Sequence, residues 1–230
     1  MSGRNEELAL RAQGMYAGIG ELLKASGFEP ALAGEICRES LERFKEVLKV
    51  MPEGGGAEDR LTGILESAAI LLGFYLAWKS RGKKPGDAGK ITYEMVEFYY
   101  RSREISGMEE KATQESIASD VRSLKESSGK PGWPGGWVME YLDSAGTGFD
   151  MCWNNNECGI ISLFEKFGAR EYVRFLCAMD SIYYPARGLG LTRTKTLVDS
   201  DCCDFRVKLG GVTTLERETA KMLKEWGKIA

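Results

Sequence analysis

Four of the six cysteines in this chain lie between Cys158 and Val207, mixed with charged side chains that a fold alone does not require. The chain contains no histidine. That excludes a Ser-His-Asp triad and any His-ligated metal within it, and leaves Cys, Asp, Glu, Lys, Arg or Tyr to do chemistry. Cys177 and Asp180 stand three apart, a spacing that puts them on one helix face with Val173. Asp180 then falls near the C-terminus of its expected helix, where the macrodipole disfavours a carboxylate by about 0.3–1 kcal/mol. An Asp there suits general acid or base work, and a neighbouring Cys suits nucleophilic attack. The plain structural alternative is a buried Cys behaving as a small hydrophobe and an Asp that either caps a nearby loop or pairs with an Arg.

Cys158 follows Asn154, Asn155 and Asn156, where a helix is expected to begin. A thiol at such a position can be reactive, or it can pack beneath an Asn-rich turn that caps the helix. Farther on, strand alternation places Cys203, Phe205 and Val207 on one face and Cys202, Asp204 and Arg206 on the other. Arg206 could grip a carboxylate with both arms of its guanidinium, or form an exposed ion pair of little energetic worth. Arg193 is a second candidate clamp, and Thr194 lies beside it in a row of strand threonines. Four thiols, Cys152, Cys158, Cys177 and Cys203, could in principle close a tetrahedral zinc site, but no Cys-x-x-Cys pair supports one. Neither a metal nor a cofactor is expected.

The elements that must carry these residues change character at the loop from Ser127 to Gly136. Before it the apolar spacing is helical. Leu8, Ala12, Met15, Ile19, Leu22 and Leu23 mark a first helix ended by Gly27. Cys37, Leu41, Phe44 and Leu48 mark a second, from about Glu29 to Val50. A third, from about Ala57 to Arg81, is apolar on nearly every side in its later half, as suits a central helix. Residues 90–106 and 109–126 give a fourth and a thinner fifth. After the loop the period falls to two. Strands are expected over 137–142 and 149–153, with Trp137, Met139, Tyr141, Phe149, Met151 and Trp153 facing the core and Asp150, Cys152 and Asn154 facing away. A second hairpin is expected over 191–198 and 202–208, turned at Asp199–Asp201. Between the hairpins, residues 157–167 and 169–181 read as helices broken near Gly168. Residues 213–229 read as a final helix, with Glu216 and Glu218 serving its dipole. The expected fold is α+β: an N-terminal helical layer, residues 1–130, packed beside a C-terminal four-stranded antiparallel sheet with additional helices, residues 131–230.

At 230 residues, 43% apolar and 28% charged, the composition is that of a globular protein large enough to bury a core without disulfides. A net charge of −3 offers no broad basic field, so nucleic acid and anionic membranes are not expected partners. The polar start of the sequence leads to the expectation of no export signal, and the apolar run from Ala68 to Trp78 is expected to be too short to span a bilayer. Reduced thiols in a cytoplasmic protein follow as the expectation, with a small molecule as ligand and a second copy of the chain as a candidate partner.

The order of a Cys opening a helix, Phe167-Gly-Ala-Arg-Glu171, Phe175-Leu-Cys-x-x-Asp180, Arg193-Thr-x-Thr-Leu197 and Cys203-Asp-Phe-Arg-Val207 resembles the L-2-amino-thiazoline-4-carboxylate hydrolase family. The match runs over roughly residues 137–209. It implies hydrolytic opening of a cyclic carbon–nitrogen bond in a carboxylated thiazoline. On the matching positions, Cys158, Cys177 and Asp180 would do the chemistry, and Arg193, Thr194, Cys203, Asp204 and Arg206 would hold the substrate. The same tail is distantly similar to vinyl-reductase-type small-molecule-binding domains, which implies ligand binding without turnover.

Overall fold

The structure, a computed structural model, describes residues 3–56, 59–107, 110–130 and 132–229. The chain forms two compact units, one of Met1–Met95 with Ile160–Phe175 and the other of Val96–Gly159 with Leu176–Ala230.

The first unit is helical. Helix α1 (Gly3–Ala25) stops at Gly27, whose φ of 86° few other residues adopt. Helix α2 (Pro30–Leu48) opens on a proline, which suits the first turn because its missing N–H has no partner to lose. Helix α3 (Arg60–Lys79) is capped by Asp59, which accepts the amide of Thr62 at 2.9 Å. The expected start at Ala57 lies outside the described residues. α3 is long and apolar enough to cross a membrane, a length the Ala68–Trp78 run alone did not suggest. Here α1 and α2 pack on it, and Leu72, Phe74 and Tyr75 are fully enclosed. Helix α4 (Pro85–Ile105) begins in this unit. Its Gly89 lies so close to Phe175 that a Cβ would come within 2.4 Å of the ring. Tyr172 stacks on Tyr75 at 4.2 Å and shares a 2.8 Å hydrogen bond with Thr92.

The second unit holds helix α5 (Gln114–Ser127), started by a capping box between Thr113 and Ser116. Glu109, its expected first residue, lies outside the described residues. Strands β1 (Val138–Leu142), β2 (Met151–Glu157), β3 (Leu189–Thr192) and β4 (Cys203–Leu209) form one antiparallel sheet in the order β1-β2-β4-β3. The fold is therefore α+β. Trp153 pairs with Phe205 across β2 and β4, and their rings stack at 4.7 Å. Met151, Cys203, Val207 and Leu191 join them on the core face, covered by Ile117 and Leu124 of α5 and by Tyr184.

Four local expectations change. The asparagine run continues β2 as strand instead of turning. Cys152 is buried although its neighbours Asp150 and Asn154 are only partly so, with Thr147 Oγ1 3.9 Å from its sulfur. β3 stops at Thr192, because the next amide, that of Arg193, turns to Thr214 O at 2.9 Å and those of Thr194 and Lys195 turn to a side chain. The last helix, α9 (Arg217–Glu225), starts late because residues 211–215 run beside β3.

The segment between the hairpins breaks at Gly168, with φ 58°. It gives α6 (Gly159–Glu165), a short 3-10 turn over Arg170–Tyr172, α7 (Val173–Cys177) and α8 (Asp180–Ala186). This corrects the reading of Asp180. It does not end a helix but opens α8, in the first turn, where the dipole favours a carboxylate.

Candidate functional site

The site is built around Arg193, which follows β3 and is 1% exposed. Its guanidinium lies 5.7 Å from the centre of the Phe205 ring, supplied by β4. Nη1 donates to Asp180 at the head of α8. Nη2 donates to the carbonyl of Cys177, at the end of α7, at 3.1 Å. Nε and Nη2 donate to the two oxygens of Glu216 at 3.0 and 3.3 Å. Burial works against the charge of Arg193, but Asp180, Cys177 and Glu216 outweigh it and hold the guanidinium more firmly protonated than usual.

Glu216 reaches Arg193 through the sheet edge. Gly190 of β3 has no side chain, and a Cβ there would come within 2.3 Å of the Gly211 backbone. That gap lets residues 211–215 run close to β3, with Thr214 N donating to Leu191 O at 2.7 Å. Two residues later the chain delivers Glu216, whose carboxylate also accepts the Thr219 hydroxyl.

Three thiols lie near enough to this cluster to interact with it electrostatically. Cys177 interacts electrostatically with Arg193, Cys203, Cys158 and Asp180, and Cys203 with Cys158, Arg193 and Asp180. Part of Cys177 stays accessible while its thiol is closely surrounded by protein atoms. Burial pushes that thiol well up, against the pull of Arg193. Burial likewise pushes Cys203 up to about 12, although the amide of Leu197 donates to its sulfur at 3.1 Å. Both sulfurs are therefore thiols, not thiolates, at neutral pH. Cys158 sits where β2 passes into α6, immediately before Gly159, which Trp137 covers so closely that a Cβ would come within 2.8 Å of its ring. Among the described residues, no group of three or more Cys, Asp or Glu is arranged to hold a metal ion.

The structure thus brings together Cys158, Cys177, Asp180, Arg193 and Cys203. Thr194, Asp204 and Arg206 make their hydrogen bonds elsewhere. Asp204 accepts the amides of Thr194 and Lys195 at 2.7 and 2.6 Å and the Thr194 hydroxyl at 2.6 Å, which folds the 193–202 loop back onto β4. Arg206, on the other face of the strand from Cys203, donates to the carbonyls of Trp153 and Phe205, both at 2.8 Å, and to Asn154 at 3.1 Å. Glu216 and Thr219 did not stand out in the sequence. No local pattern links Glu216 to an arginine 23 positions earlier, and its place before α9 suggested only a dipole role.

The family model described as L-2-amino-thiazoline-4-carboxylic acid hydrolase matches residues 64–207, and the chain belongs to that family. The match takes in α4 and α5 and most of α3 as well as the cysteine-rich segment. No curated protein and no solved structure matches the chain.

Proposed function

We propose that this member of the L-2-amino-thiazoline-4-carboxylic acid hydrolase family opens a carbon–nitrogen bond in a small cyclic amidine bearing a carboxylate, of which 2-amino-thiazoline-4-carboxylate is the first candidate. The observation that carries this reading is the gathering of three thiols and the Asp180 carboxylate around one buried arginine. Asp180 is the group assigned to water. Water adds across the amidine C=N, its first proton passing by way of Asp180 to the ring nitrogen; the ring carbon–nitrogen bond then breaks as the hydroxyl proton of the adduct follows to the same nitrogen by the same carboxylate, leaving a carbonyl and an amine. The net change is addition of one water, giving a carbamoyl-cysteine from the thiazoline. Attack by Cys177 is the less favoured route, because its thiol is held protonated. Cys158 stands as the second thiol of the catalytic group.

The substrate carboxylate needs a cationic or N–H partner. Arg193 and Arg206 are the candidates by type, with Thr194, Cys203 and Asp204 shaping the surroundings. The donors of both arginines already serve protein acceptors. That weighs against either arginine as a carboxylate clamp and favours a second reading, a domain that binds a small apolar ligand without turnover.

The test is loss of 2-amino-thiazoline-4-carboxylate and formation of carbamoyl-cysteine by wild type, Asp180→Asn and Cys177→Ser proteins of equal helicity. Under the hydrolase reading, Asp180→Asn loses about a hundredfold or more of the rate. Full activity in both variants removes the reading, and ligand retention without turnover in wild type supports the second.

A further inference from the structure

We propose that Glu216 is a positioning residue of this site: through Arg193 it fixes the carboxylate of Asp180 and the main chain of Cys177 in one arrangement. The inference rests on the hydrolase reading for its kinetic consequence, but its geometry stands without it.

Arg193 joins three stretches that are far apart in sequence. It follows β3, binds the α7–α8 junction through Cys177 O and Asp180, and binds the start of α9 through Glu216. A guanidinium is planar, so two bonds to one carboxylate set the plane of the whole group. Glu216 supplies those two bonds, through Nε and Nη2. Nη1 and the rest of Nη2 are then aimed at Asp180 and Cys177 O without further freedom. Glu216 is itself held, since Thr219 one turn later donates to the same oxygen that receives Nη2. The chain of restraint runs Thr219, Glu216, Arg193, Asp180. Glu216 is 14% exposed and Asp180 26%, so the end of the chain that faces outward is the carboxylate assigned to water.

A misplacement of the reacting carboxylate lowers the rate more than it lowers substrate affinity. Glu216→Gln keeps the size and one acceptor but loses the charge and the second acceptor. The expected result is a fall in kcat of about tenfold or more with KM within about threefold of wild type. Glu216→Asp, which keeps a carboxylate, restores part of that kcat. The readout that does not need turnover is the pH dependence of Cys177 alkylation by iodoacetamide, followed by mass spectrometry. Arg193, Asp180, Cys158 and Cys203 are the charged or titratable groups that act on Cys177. With Glu216 neutralised, the arginine's charge acts on that thiol with less opposition, and the profile moves to lower pH.

Wild type that turns over with a Glu216→Gln protein unchanged in both kcat and alkylation profile overturns the proposal and leaves the hydrolase reading standing. Wild type without turnover, but with the alkylation profile moved in Glu216→Gln, keeps the positioning role and removes the hydrolase reading. A Glu216→Gln protein with lowered KM and undiminished kcat also overturns it, because Glu216 would then be competing with the substrate's carboxylate for Arg193. Should Glu216→Gln fail to fold, Thr219→Val removes the hydroxyl that holds Glu216, and a smaller change of the same sign is expected. No change in that variant overturns the proposal.

Discussion

Asp204 and Thr194 are bound to each other at two points: Asp204 Oδ1 accepts the Thr194 amide at 2.7 Å and Oδ2 accepts its hydroxyl at 2.6 Å. A third bond, from the Lys195 amide at 2.6 Å, completes the turn-back of the loop onto β4. The carboxylate thus does for this loop what a strand partner does for a ladder. It also keeps Leu197 where its amide meets the sulfur of Cys203.

Asp204→Ala is expected to lower stability by about 1.5–3 kcal/mol, the range for hydrogen bonds to a charged acceptor. Urea denaturation gives that number. Cys203 should also become more accessible to alkylation in the folded protein, because the loop over it is no longer pinned. Asp204→Asn, which keeps one acceptor, is expected to fall between the two.

Arg193 is expected to be the most sensitive of these positions to substitution. Arg193→Met fills a similar volume but leaves Asp180 and Glu216 partly buried with no cation between them. A loss of about 3–5 kcal/mol is expected, as for a buried ion pair with one partner removed. Arg193→Met together with Glu216→Met should cost less than Arg193→Met alone, since the stranded carboxylate goes too. A double variant worse than the sum of its parts would contradict the pairing.

Gly190 tests how the cluster is assembled. A Cβ at this position meets backbone atoms of Gly211 and Val212, at 2.3 and 2.5 Å, and backbone cannot swing aside as a side chain can. Gly190→Ala should therefore push residues 211–215 off β3 and carry Glu216 away from Arg193. The expected cost is about 1–3 kcal/mol. Faster hydrogen exchange at the amide of Thr214, which donates to Leu191 O, would mark the separation. Loss of stability with that amide still protected would place the strain elsewhere.

The period-two stretches after Gly136 gave the sheet, because strand alternation fixes which side chains share a face. Cys203, Phe205 and Val207 are buried as that alternation requires. The helical stripes of the first half were legible for the same reason, at period 3.6. The site was half legible. Cys158, Cys177, Asp180, Arg193 and Cys203 stood out by type, and the fold does bring them together. Their hydrogen-bond partners did not stand out. Glu216 reaches Arg193 only because Gly190 lets a distant segment approach, and Asp204 is turned to its loop by backbone amides that carry no sequence signature. The place of Asp180 at the head of α8 is not legible, because the break between α7 and α8, at Ala178 and Met179, has neither glycine nor proline to announce it.

The thiols predict a dependence of stability on alkaline pH. Burial raises Cys203 from a reference of 9.0 to about 12 in the folded protein and moves Cys177 the same way. The unfolded chain releases these protons first as pH rises, so unfolding becomes more favourable. The stabilising contribution is complete below about 9, where both states hold their protons, and is lost as pH climbs from there toward about 12. Denaturation series across this window should show a falling free energy of unfolding. Cys203→Ala should flatten the slope by up to one proton's worth, about 1.4 kcal/mol per pH unit. Alkylation of the folded wild type near pH 8 should be slow at Cys203, and should speed up with pH well past the point where an ordinary thiol has finished ionising. A Cys203 that reacts at neutral pH as fast as an unfolded peptide thiol would mean that its sulfur is not enclosed as described.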